Sequence, residues 1–426
     1  MKPPRIPLGR AHRLASVARQ EAEQAGLPAA TITVVGELRR YAPAVSHLGL
    51  LAIAGEHAHQ EVLDGFCRLA MVTAIVARTS GGVRVATERG QLDLYVATPD
   101  ASAAALVWHT GSRKHVASLE ARAARAGLSF GQGGLRDAHG TLVPVADEHE
   151  LYRLLGLPYI PPELREGTGE IDVAERGLPA LLDVGQIRGD LHMHSTWSDG
   201  RDSILHMVRG AQRLGYEYVA ITDHSERARA SRRLLALEIP LQREDIEAVR
   251  QRVPGIEILH GVEVDILPDG SLDFSDEQLA GFDIVLASLH EDNADSGTRL
   301  TERYLAAMSN PFVNVITHPA GRTPALSDGY DLDFDRLFRA AVDTGTAMEV
   351  DGSPNHLDMD GDLARRAAAA GVTLTVDSDS HFAEALGRQM SFGVGTARRG
   401  WVGPELVLNT RDIGAVRDFI TQKRPR

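Results

Sequence analysis

The sequence lacks the features that mark secreted, membrane-spanning or thiol-dependent proteins. Cys67 is the only cysteine among 426 residues, which excludes an internal disulfide and a thiolate metal cluster. No apolar run is long enough to cross a bilayer, and the first residues, MKPPRIPLGRAHR, lack the apolar core of a signal peptide. We therefore expect a cytoplasmic protein in a reducing environment, with no membrane contact.

Positive charge is scarce in the C-terminal half of the chain. Residues 1–185 contain 19 basic and 20 acidic residues, whereas residues 186–426 contain 26 and 38. An acidic surface repels polyanions, which argues against tight, non-specific DNA binding by this half. Some of these acids could instead be neutralised by bound cations, and composition alone does not separate the two cases.

The length suits two or three domains, and the pattern changes near residue 185. Residues 155–186 are rich in proline, glycine and acids and lack a sustained period, so we predict a linker over residues 151–186. Residues 1–150 contain helix-like and strand-like segments in mixed order, which predicts a smaller α+β domain. Residues 187–426 form the second predicted domain.

Seven short apolar runs alternate with helical segments in this second domain. Such alternation predicts an α/β fold with a parallel sheet, and seven strands suit a closed or nearly closed (β/α) barrel. A doubly wound open sheet is the alternative. The runs are IRGDLHMH, YEYVAITDHS, IEILHGVEVDIL, FDIVLASLH, FVNVITHPAG, GTAMEVDG and VTLTVDSDSH.

Side chains of the kind that bind metals stand at the ends of nearly all these runs. In GDLHMHSTWSDG, residues 189–200, two histidines are two residues apart, so they would point to the same side of a strand. In a barrel, all such side chains meet at the mouth formed by the carboxyl ends of the strands. Nine nitrogen and oxygen donors are too many for one tetrahedral ion and fit two or three divalent cations. The nine candidates are His192, His194, Asp199, His224, Glu263, His290, His318, Asp379 and His381.

The motifs around these residues resemble those of the PHP (polymerase and histidinol phosphatase) superfamily, in order, over residues 187 to about 410. They are HMHSTWSDG, ITDHS, GVEVDIL, ASLH, THPAGR and DSDSH. The resemblance implies a distorted seven-stranded TIM-like barrel with three metal ions, which could be Zn²⁺, Mn²⁺ or Fe²⁺. It also implies three groups of ligands: His192, His194, Glu263 and Asp379; Glu263, His290 and His318; Asp199, His224 and His381.

The implied reaction is hydrolysis of a phosphoester. A water shared by two cations loses a proton near neutral pH and becomes the nucleophile. Arg322, in THPAGR, is a candidate phosphate contact, with a salt bridge at the barrel rim as the alternative. Asp265 could orient a ligand histidine or cap a loop, and the role of Asp223 is equally open.

Other stretches resemble bacterial family X DNA polymerases that carry a C-terminal PHP domain. HTGSRKH at residues 109–115 and VGELRR at residues 35–40 are similar to that family's nucleotide-binding and palm motifs. The resemblance implies a nucleotidyltransferase-like palm and thumb over residues 1–150. The sequence begins close to the palm motif, so we expect no lyase or fingers module before it.

The palm motif departs from the family pattern at the positions that matter for synthesis. Where that pattern has a serine and two aspartates, this chain has Glu37, His47 and Gly49, and only the third carboxylate, Asp93, remains. One carboxylate cannot organise the Mg²⁺ pair that nucleotidyl transfer needs. We therefore expect no templated DNA synthesis.

Three functions remain open from the sequence. The leading hypothesis is a metal-dependent phosphoesterase acting on DNA ends, as a 3′–5′ exonuclease or a 3′-end-processing enzyme. The alternatives are a small-molecule phosphatase of the histidinol-phosphate type and a non-catalytic DNA-repair adaptor. Four basic residues could contact a nucleic-acid backbone, with solvated surface charge as the alternative: Arg39, Arg40, Arg113 and Lys114.

Overall fold

The computed structural model describes residues 5–290 and 296–424, and the chain divides into two compact units, Met1–Pro179 and Ala180–Arg426. The segment 151–186, which we expected to be a linker, is shared between them. Its first part carries apolar anchors that are buried in the first unit, including Leu157, Ile160 and Leu164. These anchors stand among Pro158, Pro161 and Pro162, which interrupt regular elements, so the sequence reads as a linker although the segment is packed.

The first unit is a mixed α+β structure, as the sequence predicts. Its strands are β1 (Ile6–Pro7), β2 (Thr31–Val35), β3 (Ala44–Val45), β4 (Leu48–Ile53), β5 (Ala74–Thr79), β6 (Gly82–Thr87), β7 (Gly90–Ala97), β8 (Ser129–Gly131), β9 (Gly134–Arg136) and β10 (Leu142–Val143). Its helices are α1 (Leu8–Gln24), α2 (Gly36–Arg39), α3 (His59–Cys67), α4 (Ser102–Thr110), α5 (Arg113–Arg125), α6 (Glu148–Leu154) and α7 (Glu170–Ala174).

A five-stranded sheet in the order β2-β4-β7-β6-β5 forms the centre of this unit. Strands β4 and β7 run parallel, and the other neighbours run antiparallel. In this register Gly49 pairs with Asp93, so the motif position that has lost its carboxylate lies beside the one that has kept it. Arg84 on β6 is the partner of Asp93 on the other side.

The second unit alternates strands and helices along its whole length. Its strands are β11 (Gly189–Asp190), β12 (Tyr218–Ile221), β13 (Glu257–Asp265), β14 (Ile284–Ser288), β15 (Val313–Ile316), β16 (Ala347–Asp351) and β17 (Leu374–Asp377). Its helices are α8 (Ile204–Arg213), α9 (Ile239–Arg252), α10 (Asp276–Leu279), α11 (Gly297–Ser309), α12 (Phe334–Thr344), α13 (Gly361–Ala369), α14 (Leu386–Arg399) and α15 (Ile413–Thr421).

The seven strands of this unit form one parallel sheet in sequential order, and the sheet closes almost completely into a barrel. A bridge between Met193 and Ser380 joins the segments that follow the first and last strands. The predicted seven-stranded (β/α) barrel is therefore confirmed, and the open doubly wound alternative is wrong.

Helix α12 illustrates why these segments are helical. Four apolar side chains at helical spacing are buried toward the sheet: Phe334, Leu337, Phe338 and Ala341. Asp333 caps the first turn by accepting a hydrogen bond from the backbone N–H of Arg336, and Gly345 ends the helix at a φ of 66°.

Side chains from alternate strand positions fill the barrel interior. Tyr218 and Ala220 lie in the inner apolar cluster, whereas Val219 and Ile221 pack in the outer layer under the helices. The inner cluster also includes residues of α15, such as Phe419. These apolar side chains make the inside of the barrel a packed core, so polar chemistry is confined to its mouth.

Candidate metal centre

The predicted ligands lie together near or just beyond the carboxyl ends of the strands. Strand β11 ends at Asp190, and His192 and His194 follow it in the segment that Met193 joins to Ser380. The sequence predicted that the two histidines lie within the strand, but in the structure they lie just past its end. They nevertheless point to the same place, because their Nε2 atoms are 3.1 Å apart.

Glu263, on β13, is the centre of one half of the site and is fully buried. Its Oε1 is 2.8 Å from His318 Nε2 and 3.6 Å from His290 Nε2. Its Oε2 is 2.8 Å from His224 Nδ1 and 3.5 Å from His192 Nε2. One carboxylate therefore faces imidazoles from four different strand ends, which agrees with the predicted sharing of Glu263 between two cations; the sharing itself stays a prediction.

The other half of the site is built around two aspartates. Asp199 Oδ1 is 3.3 Å from His381 Nε2 and 3.7 Å from His224 Nε2. Asp379 Oδ1 is 3.1 Å from His194 Nε2. All nine predicted ligands thus lie in one cluster, and the assignment of each to a particular ion remains a prediction.

Ligand atoms within 4.8 Å of one another occur in four sets across the described residues. The sets are His194, Asp199, His224 and His381; His192, His194 and Glu263; His224, Glu263 and His290; and Asp351, His356 and Asp379.

Several buried atoms of the cluster have no hydrogen-bond partner. They include Asp199 Oδ1, His224 Nδ1 and Glu263 Oε2. The last two are 2.8 Å apart, but they are not aligned for a hydrogen bond. Leaving such atoms buried and unpaired is costly, and bound cations would satisfy them. The residues present therefore fit divalent cations that accept nitrogen and oxygen ligands.

The electrostatics of the cluster put two of its members, Glu263 and His194, in the forms that bind metals. Burial raises the pKa of Glu263, but the nearby His224 and His192 outweigh burial and hold this pKa well below its usual range. Burial, followed by repulsion from His224 and His381, lowers the pKa of His194 to about 3. At neutral pH Glu263 is therefore a carboxylate and His194 a neutral imidazole.

The roles of Asp265 and Asp223 were left open by the sequence, and in the structure the two carboxylates make different contacts. Asp265 Oδ1 is 2.6 Å from His290 Nδ1, so it holds that ring with Nε2 directed into the cluster. Asp223 instead accepts hydrogen bonds from the backbone N–H and hydroxyl of both Ser195 and Ser198, at 2.6–3.0 Å. Asp223 therefore stabilises the turn that connects the predicted ligands His194 and Asp199.

Sequence reasoning missed two residues that contact predicted ligands. Glu349, on β16, is 2.7 Å from His192 Nδ1 and accepts a hydrogen bond of 2.8 Å from the backbone N–H of His318. The ring of His356 stacks on His318, with centroids 5.0 Å apart. Glu349 lies two residues before the end of the sixth strand, so a wider inspection of each strand end could have found it. His356 follows in a loop and carries no local signal.

The Arg322 guanidinium is committed to contacts within the chain. It is 9% exposed, and its Nη1 lies 3.1 Å from Asp360 Oδ2 and 3.4 Å from the Leu357 carbonyl oxygen. Of the two alternatives for this residue, the structure matches the salt bridge at the rim.

Two of the four predicted nucleic-acid contacts are also internal. Arg39 forms a two-pronged salt bridge with Glu148, at 2.7 and 2.9 Å, and Arg40 Nε is 3.0 Å from Glu166 Oε1. These arginines pair with carboxylates in the C-terminal part of the first unit, and their contact with a nucleic-acid backbone stays a prediction. The other two lie exposed in the first turn of α5 and stay predictions: Arg113 and Lys114.

The remnant of the palm motif lines a cleft of 550 Å³ in the first unit, together with the nucleotide-binding motif. Asp93 does not have free carboxylate oxygens in this cleft. Its Oδ1 is 2.6 Å from Arg84 Nε, and its Oδ2 is 2.9 Å from Arg84 Nη2. The charge of this carboxylate is therefore neutralised by Arg84, on the neighbouring strand β6.

Two family models match the chain, and together with the cluster of candidate metal ligands they define the class of protein to which it belongs. The PHP domain model matches residues 190–351, and the DNA polymerase beta thumb model matches residues 105–166. The chain is thus a metal-dependent phosphoesterase with a PHP barrel and a polymerase-like first unit. No helix in the described part of the chain is long and apolar enough to span a membrane.

The curated relatives narrow this class to one family. The chain is 35% identical over 425 residues to the DNA polymerase/3′-5′ exonuclease PolX of Bacillus subtilis (strain 168), covering 98% of this chain and 73% of that protein. It belongs to the PolX family. It is also 28% identical over 247 residues to a probable phosphatase of Thermoanaerobacter sp. (strain X514), covering 55% of this chain and 95% of that relative.

Proposed function

We propose that this chain removes nucleotides from the 3′ ends of DNA, as a 3′–5′ exonuclease or 3′-end-processing phosphodiesterase, and that it does not synthesise DNA. The observation that carries the proposal is the convergence of all nine candidate ligands at one mouth of the barrel. DNA is favoured as the substrate because similarity to an exonuclease of the PolX family extends over nearly the whole chain.

The nine side chains would hold three divalent cations, with Glu263 shared between two of them. Such cations generate a nucleophile from water near neutral pH and offset the charge on the phosphate. The chain supplies the orientation, because Glu349 and Asp265 hold the Nδ1 atoms of His192 and His290 and so direct their Nε2 atoms into the cluster.

The first unit supports the proposal that the chain does not synthesise DNA. Both oxygens of Asp93 are engaged by Arg84. Over residues 5–179, no three His, Cys, Asp or Glu side chains come close enough to share an ion. A pair of Mg²⁺ ions needs several oxygen ligands, so this cleft does not fit two-metal nucleotidyl transfer.

A small phosphoester is the second candidate substrate. Several relatives that match little more than half of this chain are named probable phosphatases, and the C-terminal half carries an excess of acidic residues. A small substrate avoids the long-range repulsion that such a surface exerts on a polyanion.

The deciding experiment uses a single-stranded oligonucleotide labelled at its 5′ end, with added Mn²⁺, and compares the native chain with His192→Ala. His139→Ala is the matched control, because His139 is exposed in a turn of the first unit. We expect a ladder of shortened products with the native chain and the control, and none with His192→Ala. A primer–template with all four nucleotides should show no extension.

Other outcomes would redirect the assignment. An intact oligonucleotide, with a small phosphomonoester hydrolysed in a His192-dependent way, would favour the phosphatase. A protein that binds its full complement of metal and hydrolyses neither substrate would favour the non-catalytic adaptor.

A further inference from the structure

An arginine-rich loop stands at the mouth of the metal centre. This arginine loop, residues 225–234, follows strand β12 and contains four arginines and one acidic residue. The unit around it carries a large excess of acidic residues. A concentration of positive charge in such a unit, next to a phosphoesterase site, needs a chemical reason.

The loop is anchored at both ends to the metal centre. It begins directly after His224, and it returns there because the backbone N–H of Leu234 donates a 2.8 Å hydrogen bond to the His224 carbonyl oxygen. The side chains of Leu234 and Ala228 are buried. Arg232 Nη1 donates a 2.6 Å hydrogen bond to the carbonyl oxygen of Thr196, which lies in the turn between two predicted ligands.

This anchoring leaves part of the positive charge facing solvent. Arg227 and Arg233 are exposed, and neither forms an ion pair with any residue in the ranges 5–290 and 296–424. Arg232 is held by Thr196 and has only a long contact, 3.8 Å, with Glu238. The loop thus presents guanidinium groups whose charge is not cancelled within the chain.

We propose that the arginine loop binds phosphates of a single-stranded nucleic acid beyond the bond being cleaved, and so makes this site prefer polynucleotides to small phosphoesters. This rests on the proposed function. Guanidinium groups bind phosphate oxygens in pairs of hydrogen bonds. A mononucleotide-sized substrate at the metal cluster has no second phosphate for the loop to bind, whereas a strand has several. The loop therefore offsets, locally, the repulsion exerted by the acidic surface.

The test is the double variant Arg227→Gln/Arg233→Gln. The control is Arg209→Gln/Arg213→Gln, which removes the same charge from exposed positions on α8. The substrates are an oligothymidylate and bis(4-nitrophenyl) phosphate, each measured across a range of NaCl concentrations. We expect kcat/KM for the oligonucleotide, relative to the small diester, to fall roughly tenfold in the loop variant. The slope of log KM against log salt should fall by about 1.4, since each single-strand phosphate contact contributes about 0.7.

Two results would overturn the proposal: a loop variant that matches the control on the oligonucleotide, or one that loses activity equally on both substrates. A binding measurement separates failure of the loop from failure of the proposed function. If the native chain hydrolyses neither substrate, fluorescence anisotropy with a phosphorothioate oligothymidylate still tests the loop. Weaker binding by the loop variant than by the control supports it, and equal binding refutes it.

Discussion

Replacing Glu349 by glutamine tests whether the metal cluster depends on the residue that sequence reasoning missed. Both oxygens of this buried carboxylate are used: Oε1 faces His192 Nδ1 at 2.7 Å, and Oε2 accepts from the backbone N–H of His318 at 2.8 Å. A glutamine of nearly the same size has one acceptor oxygen and one NH₂ group. It can satisfy either contact but not both, because its NH₂ group would face another N–H.

The expected magnitude follows from what the carboxylate does for its neighbour. By accepting from His192 Nδ1, it fixes the tautomer that directs the Nε2 lone pair toward the other ligands. Removing such a partner of a ligand histidine weakens metal binding by about 10- to 100-fold, or about 1.4–2.7 kcal/mol. Glu349→Gln should therefore lose metal at chelator concentrations that leave the native chain loaded.

The assay is elemental analysis after dialysis against a graded series of chelator concentrations, with circular dichroism to confirm that the variant is folded. Glu302→Gln is the matched control, since Glu302 pairs with Arg336 on the surface. A folded Glu349→Gln variant that retains metal as the control does would refute the role assigned to this carboxylate. It would also show that the His192 ring is held by packing alone.

Two further predictions concern stability and protonation. Burial raises the pKa of Glu148, but Arg39 and Arg165 outweigh burial and bring this pKa to about 2, below the ordinary 4.5. Glu148 therefore contributes about 3 kcal/mol above pH 4.5 that is lost as pH falls toward 2. Glu148→Gln should destabilise the first unit by about 3–5 kcal/mol at pH 7 in urea unfolding, because Arg165 loses its buried partner. The destabilisation should be smaller at pH 3, where the native chain has already lost part of this contribution. An equal loss at both pH values would contradict this. Burial opposes protonation of His318, but Glu263 and Glu349 raise its pKa to about 9, so cation binding at pH 7 should release a proton from this ring. Calorimetry in buffers of different ionisation enthalpy measures that release, and buffer-independent heats would exclude it.

The sequence by itself was sufficient to predict the barrel and the set of side chains that meet at its mouth. Seven apolar runs alternate with helical segments, and the candidate metal ligands stand near the end of these runs or just after them. Position relative to a strand end is local information, and the parallel topology then brings all these positions to one mouth. The loss of the palm carboxylates was also readable, because it is a change of residue type at a recognisable motif.

Only the tertiary structure decided which charged side chains are available for chemistry. Arg39, Arg40 and Arg322 look like phosphate contacts in the sequence, yet each forms an ion pair with a residue distant along the chain. Pairings of this kind depend on packing between elements, and no local pattern records them.

The same holds for the predicted linker and for the backbone of the metal centre. The predicted linker is packed because Leu157, Ile160 and Leu164 are buried in the first unit, among residues distant along the chain. His318 and Asp379 adopt positive φ angles of 28° and 47°, which non-glycine residues rarely take without support from their surroundings. Residue types and their order are properties of the chain alone. Partners and backbone strain are set when distant segments come together, so they could be read only from the folded protein.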